Sequence, residues 1–179
     1  MSILSFNMIR FSALTKPSIC AAAVVLFAAP AFAQEPTPIG EFKDWGAYTY
    51  KNGKGRVCYI VSQPKDSSPK NVNRDPVHFM VSNRPAEKIS GQVHVYIGYP
   101  FKKESTVKLS IDGNNFTLYT SGDGAWSDSS DSDRKIVQAM RAGAKMVVEG
   151  VSHRGTKTID RFSLSGVTAA LSKIGNSCK

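Results

Sequence analysis

The chain has 179 residues, 41% of them hydrophobic and 21% charged, with three cysteines and a formal charge of +9. That length suits one domain, and the apolar and charged fractions exclude a mostly disordered chain or a coiled coil. No uninterrupted apolar run reaches the ~20 residues of a membrane-spanning helix, which excludes a polytopic membrane protein.

Residues 1–33 read as a secretory signal peptide. Arg10 and Lys16 supply the positive region, Ile19 to Phe27 form an uncharged apolar core, and Ala31-Phe32-Ala33 offers a small-x-small cleavage pattern before Gln34. Met8 is an alternative start to Met1. Cys20 lacks the small-residue context of a lipoprotein signal, and the apolar core follows it, which argues against lipidation. Cleavage leaves a mature domain over residues 34–179. It loses two cations and no acid, so its formal charge falls only to +7, and it carries no transmembrane segment. Cys58 and Cys178 remain. Export permits a disulfide, and two cysteines allow one intramolecular pairing, so the expectation is a bridge tying the tail to the opening strands.

From Gln34 to Glu41 the two prolines suggest an extended lead-in. Trp45 to Tyr50 is predicted as a strand, with Tyr48 and Tyr50 on one face and Trp45, Ala47 and Thr49 on the other. Asn52-Gly53-Lys54-Gly55 is a turn, and Arg56 to Ser62 is a second strand apolar on both faces. Gln63 to Pro76 is polar, contains three prolines and forms the longest predicted loop. Strands follow over Val77 to Ser82 and Gln92 to Tyr99, separated by the turn-rich Asn83 to Gly91. Thr106 to Ile111 and Asn115 to Thr120 form a hairpin around Asp112-Gly113. Asp131 or Ser132 caps a helix to about Ala142, with Ile136, Val137 and Met140 inward. A second hairpin joins Lys145–Val151 to Thr156–Phe162 through His153-Arg154-Gly155. Ser165 then caps a C-terminal helix with Val167, Ala170, Leu171 and Ile174 on one side, ending at Gly175. The predicted fold is mainly β: a single-domain antiparallel β-sandwich or distorted barrel with two short helices.

Candidate chemistry is sparse. His78 and His94 alternate away from the apolar faces of their strands and His153 sits in a turn, so all three read as solvated surface histidines rather than metal ligands. The acids Asp123, Asp128, Asp131 and Asp133 resemble a calcium loop in type. Counting from Asp128, however, Asp133 and Ala139 fall where an EF-hand needs Gly and Glu, and helix capping explains them more simply. Neither GxSxG nor a paired-acid constellation is present, so no catalytic residue, metal or cofactor is assigned. The basic surplus is the strongest lead. Lys65, Lys70 and Arg74 dot the long loop, and Arg154, Lys157 and Arg161 crowd the second hairpin. In an exported protein nucleic acid is a poor partner. The anionic surfaces available are envelope or host-surface glycans and lipids.

The ordered set Asp44-Trp45-Gly46-Ala47-Tyr48, Val57-Cys58-Tyr59, Arg84-Pro85-Ala86-Glu87, Ile111-Asp112-Gly113, Gly124-Ala125-Trp126, Ser152-His153-Arg154-Gly155-Thr156 and Phe162-Ser163-Leu164-Ser165-Gly166 resembles the invasion-associated locus B family of alphaproteobacterial exported proteins. The resemblance spans nearly the whole mature chain. It implies a periplasmic or outer-membrane-associated protein, some of whose relatives are linked to entry into host cells, and it supplies no catalytic residue. The functional expectation is a non-enzymatic exported protein that acts by binding in host-cell interaction. A periplasmic factor for envelope integrity is the alternative, and a hydrolase of envelope polymers would need a polar cleft with convergent carboxylates.

Overall fold

A computed structural model describes residues 35–179, so the expected leader, its alternative start codons and Cys20 lie outside the described residues. In chain order the elements are β1 (Thr37–Phe42), β2 (Trp45–Asn52), β3 (Gly55–Ser62), β4 (Asp66–Ser68), β5 (His78–Arg84), a 3-10 turn (Pro85–Glu87), β6 (Ile89–Tyr96), β7 (Thr106–Ile111), β8 (Asn114–Ser121), β9 (Gly124–Trp126), α1 (Ser130–Ala142), β10 (Lys145–Val151), β11 (Lys157–Ser163) and α2 (Val167–Ser177). The strands form one antiparallel sheet in the order β1-β2-β3-β5-β6-β9-β8-β7-β10-β11-β4. Period-two patterning dictates its inner face: Ala47, Ile60, Phe79, Val81, Val93, Val95, Val107, Leu109, Leu118 and Val148 are all fully buried.

A single open sheet would leave that face wet, and contacts between distant strands show how it closes. The Trp45 indole N–H donates to the Ser163 carbonyl at 3.0 Å. Phe79 meets Trp45 edge-on at 6.2 Å and Phe162 at 5.9 Å, joining β2, β5 and β11 through the core. The sheet therefore curls over itself in the manner of a sandwich. Its free edges are blunted, because β4 is three residues long and β1 is irregular between Pro38 and Gly40.

The helices close the remaining apolar surface. α1 buries Ile136 and Met140 and packs on β6, whereas α2 buries Val167, Ala170, Leu171 and Ile174 and packs on β1, β2, β3 and β5. Cys178, immediately after α2, is bonded to Cys58 in β3 across 120 residues, with Cα atoms 5.9 Å apart. Closing a loop of that size restricts the unfolded chain by about 4–5 kcal/mol in the chain-entropy model.

Several boundaries differ from expectation. The lead-in is a true strand, β1, because its backbone pairs with β2. The long loop contains β4, paired with β11, and β9 bridges β6 and β8. The cap of α1 is Ser129, whose hydroxyl accepts from the Ser132 N–H at 3.2 Å, and not Asp131 or Ser132. The cap of α2 is Gly166 in a left-handed conformation rather than Ser165, and the helix runs past Gly175 to Ser177.

Candidate anionic-surface site

The second hairpin and the long loop, distant in sequence, meet in space. Asn71 to Asp75 on one side and Ser152 to Arg154 on the other border a cleft of about 480 Å³ floored by Tyr99 and Thr158. Beneath it Asp160 is completely buried and accepts from the Arg74 guanidinium in a two-pronged ion pair, one arm of which is the Nη1–Oδ2 bond at 2.9 Å. The Ser67 hydroxyl donates to the same carboxylate at 2.7 Å. Arg74 also lies 6.0 Å from the centre of the Tyr99 ring, and its side chain is only 8% exposed.

Arg74 therefore leaves the set of surface contacts. A cation placed by sequence in a polar loop is a buried anchor, because a buried carboxylate 86 residues away demands a partner. The same pairing ties Asp160 into the scaffold beneath the cleft, whose lining carries one carboxylate, Asp75. Ser152 is likewise committed to its turn, its hydroxyl accepting from the Thr156 N–H at 3.2 Å. Burial pushes the Tyr99 phenol up, while its bond of 2.6 Å with the Thr158 hydroxyl opposes that shift.

The other five cations remain at the surface, in two states. Lys65 lies 2.5 Å from Asp44. Lys70 and Arg161 share Asp66, the latter at 3.4 Å, and the Lys70 ammonium is the main reason that the Asp66 carboxyl sits below its ordinary range. Arg154 and Lys157 are exposed and have no acidic partner within 4.0 Å among the described residues. Alternation along β11 puts Lys157 and Arg161 on the outer face, flanking Ile159. Sequence reasoning missed Lys108 and Lys145 on that face. Their signal was available, since Val107, Leu109 and Ile111 inward place Lys108 outward, and Met146 and Val148 do the same for Lys145. Strand pairing sets Lys108 opposite Glu149, which in turn faces Ile159.

His94 corrects a second expectation. It does alternate away from the core, yet it is half-buried rather than freely solvated: its ring stacks on Trp126 at 4.5 Å and tilts against Tyr96 at 4.1 Å. Its Nε2 is buried without a hydrogen-bond partner. Burial lowers the imidazole to about 4, more strongly than nearby Asp123 raises it. Asp133, read as an acid near a helix start, lies in the first turn of α1 and is buried. Its carboxylate accepts from the Val93 N–H at 2.7 Å and the Ser127 hydroxyl at 2.6 Å, fastening α1 to β6, and burial raises its carboxyl.

A family model described as Invasion associated locus B (IalB) protein matches residues 45–175. Among solved structures the chain is similar to the crystal structure of invasion associated protein b from Bartonella henselae, with a TM-score of 0.53 and 14% identity over 77% of this chain and 96% of that one. At that identity the likeness concerns the fold. No curated protein matches the chain. With the family match covering the strands and helices from β2 into α2, the chain belongs to the invasion associated locus B family.

Proposed function

We propose that this chain is a non-enzymatic exported protein that binds anionic glycan or lipid surfaces of the envelope or the host cell. The observation that carries the reading is the outer face of β11 and its preceding turn. Arg154 and Lys157 are exposed without acidic partners among the described residues, and Arg161 and Lys108 extend the same basic surface. Such charges raise encounter rates with a polyanion and lose that effect as salt shortens the screening length. Lys65 and Lys70, already paired, add capacity at the margin. The end-to-end disulfide and the family membership support an exported, envelope-associated location.

Charge reversal tests it: Arg154→Glu, Lys157→Glu and Arg161→Glu combined, with binding to immobilised heparin and to phosphatidylglycerol vesicles measured across a salt series. The expected outcome is at least a tenfold loss on one of the two surfaces and a flatter salt dependence. Unchanged, salt-insensitive binding would sink the proposal. Folding stability should move by no more than about 1 kcal/mol, since these side chains lie away from the core and the one ion pair broken, Arg161 with Asp66, is exposed.

A further inference from the structure

The opposite half of the sheet carries a recess of different chemistry. On β2 and β3, Tyr59 stacks on Tyr48 at 5.4 Å and meets Tyr50 edge-on at 6.2 Å, forming one wall. On β6, β9 and β8 the rings of Tyr96, His94, Trp126 and Tyr119 follow one another, with Trp126 and Tyr119 stacked at 5.8 Å, forming the other. Between them β5 contributes Met80, Ser82 and Arg84 to the lining, so the two walls spring from strands roughly 9–10 Å apart. The recess encloses about 430 Å³, within the usual range for a small-ligand site. Tyr96 and Tyr119, at its margin, are 40% and 50% exposed.

The polar groups at one end are held in place. Arg84 donates from Nε to Glu87 at 3.2 Å, from Nη1 to the Ser82 hydroxyl at 3.1 Å and from Nη2 to the Gln92 side-chain oxygen at 2.6 Å. Arg84 is the charged side chain among the lining residues, and Glu87 neutralises it. A cationic ligand would meet a guanidinium and find no free carboxylate. A purely apolar chain would strip water from Arg84, Gln92 and Ser82 without replacing their hydrogen bonds. A pyranose with equatorial hydroxyls matches both surfaces, because its C–H faces lie against aromatic rings whose faces are electron-rich and its hydroxyl rim meets planar donors and acceptors.

The geometry points to an oligosaccharide-binding slot between Tyr59 and the row of rings that begins at His94 and is backed by Trp126, taking a neutral β-1,4-linked chain of pyranose rings. Such a chain is a flat ribbon with apolar character on both faces, as a slot with two aromatic walls requires. The slot uses none of the cations of the basic surface, so the two sites succeed or fail independently.

The test titrates the exported full chain with chitohexaose and cellohexaose, using maltohexaose as the α-linked control, by calorimetry and by the indole N–H resonances of Trp126 and Trp45. At least one β-linked hexasaccharide is expected to bind with a Kd at or below about 1 mM and to shift Trp126 but not the buried Trp45. Maltohexaose should bind at least tenfold more weakly. Trp126→Ala and Tyr59→Ala should each weaken binding at least tenfold, while Arg154→Glu with Lys157→Glu leaves it unchanged. Gln92→Ala, at the polar end and outside the core, guards against loss of fold in the aromatic variants and should weaken binding at least threefold. No response to either β-linked probe overturns the proposal, as does equal binding of maltohexaose or full binding by folded Tyr59→Ala and Gln92→Ala. A dimer in sedimentation that Trp126→Ala dissociates would assign the face to a second copy of the chain and overturn it too.

Discussion

The two halves of this sheet share one core and present opposite outer faces. On the β2-β3-β5-β6-β9 side the outward positions are rings that touch one another and an Arg84 network that is internally paired. On the β7-β10-β11 side they include lysines and arginines together with Glu149, and among the described residues Lys108, Lys145, Lys157 and, in the turn, Arg154 have no acidic partner within 4.0 Å. The difference teaches where stability and availability reside. Stacked, half-buried rings contribute packing energy and are coupled to the fold, whereas solvated cations contribute little and stay free for a partner. The buried pair Arg74–Asp160 is the exception on the basic side, a charge that belongs to the scaffold.

That contrast breaks most sharply at Arg74. Arg74→Ala leaves Asp160 charged and unpaired at zero exposure, and urea unfolding should show a loss of about 3–5 kcal/mol. Pairing Arg74→Met with Asp160→Leu should recover most of it. If Arg74→Ala costs no more than an exposed lysine does, the anchor role is wrong.

On the aromatic side the sensitive position is a residue with no side chain. A Cβ on Gly124 would come within 2.8 Å of the Trp126 indole and 3.0 Å of His94 Nε2, because the indole leans back across the glycine. Tyr48 leans over Gly46 in the same way, 2.7 Å from the Cβ that an alanine would add. Gly124→Ala should therefore destabilise by about 1–3 kcal/mol and change the near-ultraviolet dichroism of tryptophan. An unchanged spectrum with unchanged stability would mean that the stack is loose.

His94 gives the smallest effect and a pH signature. Its folded pKa of about 4 lies below the unfolded 6.5, so both states are neutral above pH 6.5. As pH falls from 6.5 to 4 only the unfolded chain gains the proton, and stability declines across that window. Allowing for solvent screening, the loss is on the order of 1–2 kcal/mol. His94→Phe keeps a ring in the stack and removes the orphaned nitrogen. The difference in stability between pH 7 and pH 4.5 should shrink by that amount, while the acid-side losses from Asp44 and Asp66, whose carboxyls lie below their usual range, stay common to both proteins. Equal pH slopes in the two proteins would refute a buried neutral imidazole.

Much of this architecture was legible because its signals are local. Alternation of Val107, Leu109 and Ile111 predicts a strand, and Asp112-Gly113 predicts its turn: Ile111 pairs with Asn114 across that two-residue loop. Ile136 and Met140 predict the inward side of α1, and Val167 to Ile174 that of α2. Three strands escaped notice: β1, whose Pro38 and Gly40 mask its pattern, and Asp66–Ser68 and Gly124–Trp126, which have three residues each, too few for a period to show. They are strands because a neighbouring strand offers hydrogen bonds. The candidate site divided along the same line. Arg154, Lys157 and Arg161 were visible as charges on a hairpin, whereas nothing near Arg74 announces Asp160, and the outward alternation of His94 says nothing of the rings that cover it.

By itself the sequence determined the basic composition, the single cysteine pairing expected after export, the inward face of each long strand and the positions of the main turns. Each of these follows from residue type and spacing over a few neighbours. Only the tertiary structure decided that the sheet closes through Trp45, Phe79 and Phe162, that one loop cation is buried while its neighbours pair at the surface, and that scattered tyrosines, a histidine and a tryptophan form facing walls. Those outcomes depend on which strands lie side by side. Strand order is set by burying the whole inner face at once, a condition that no single segment of the chain contains.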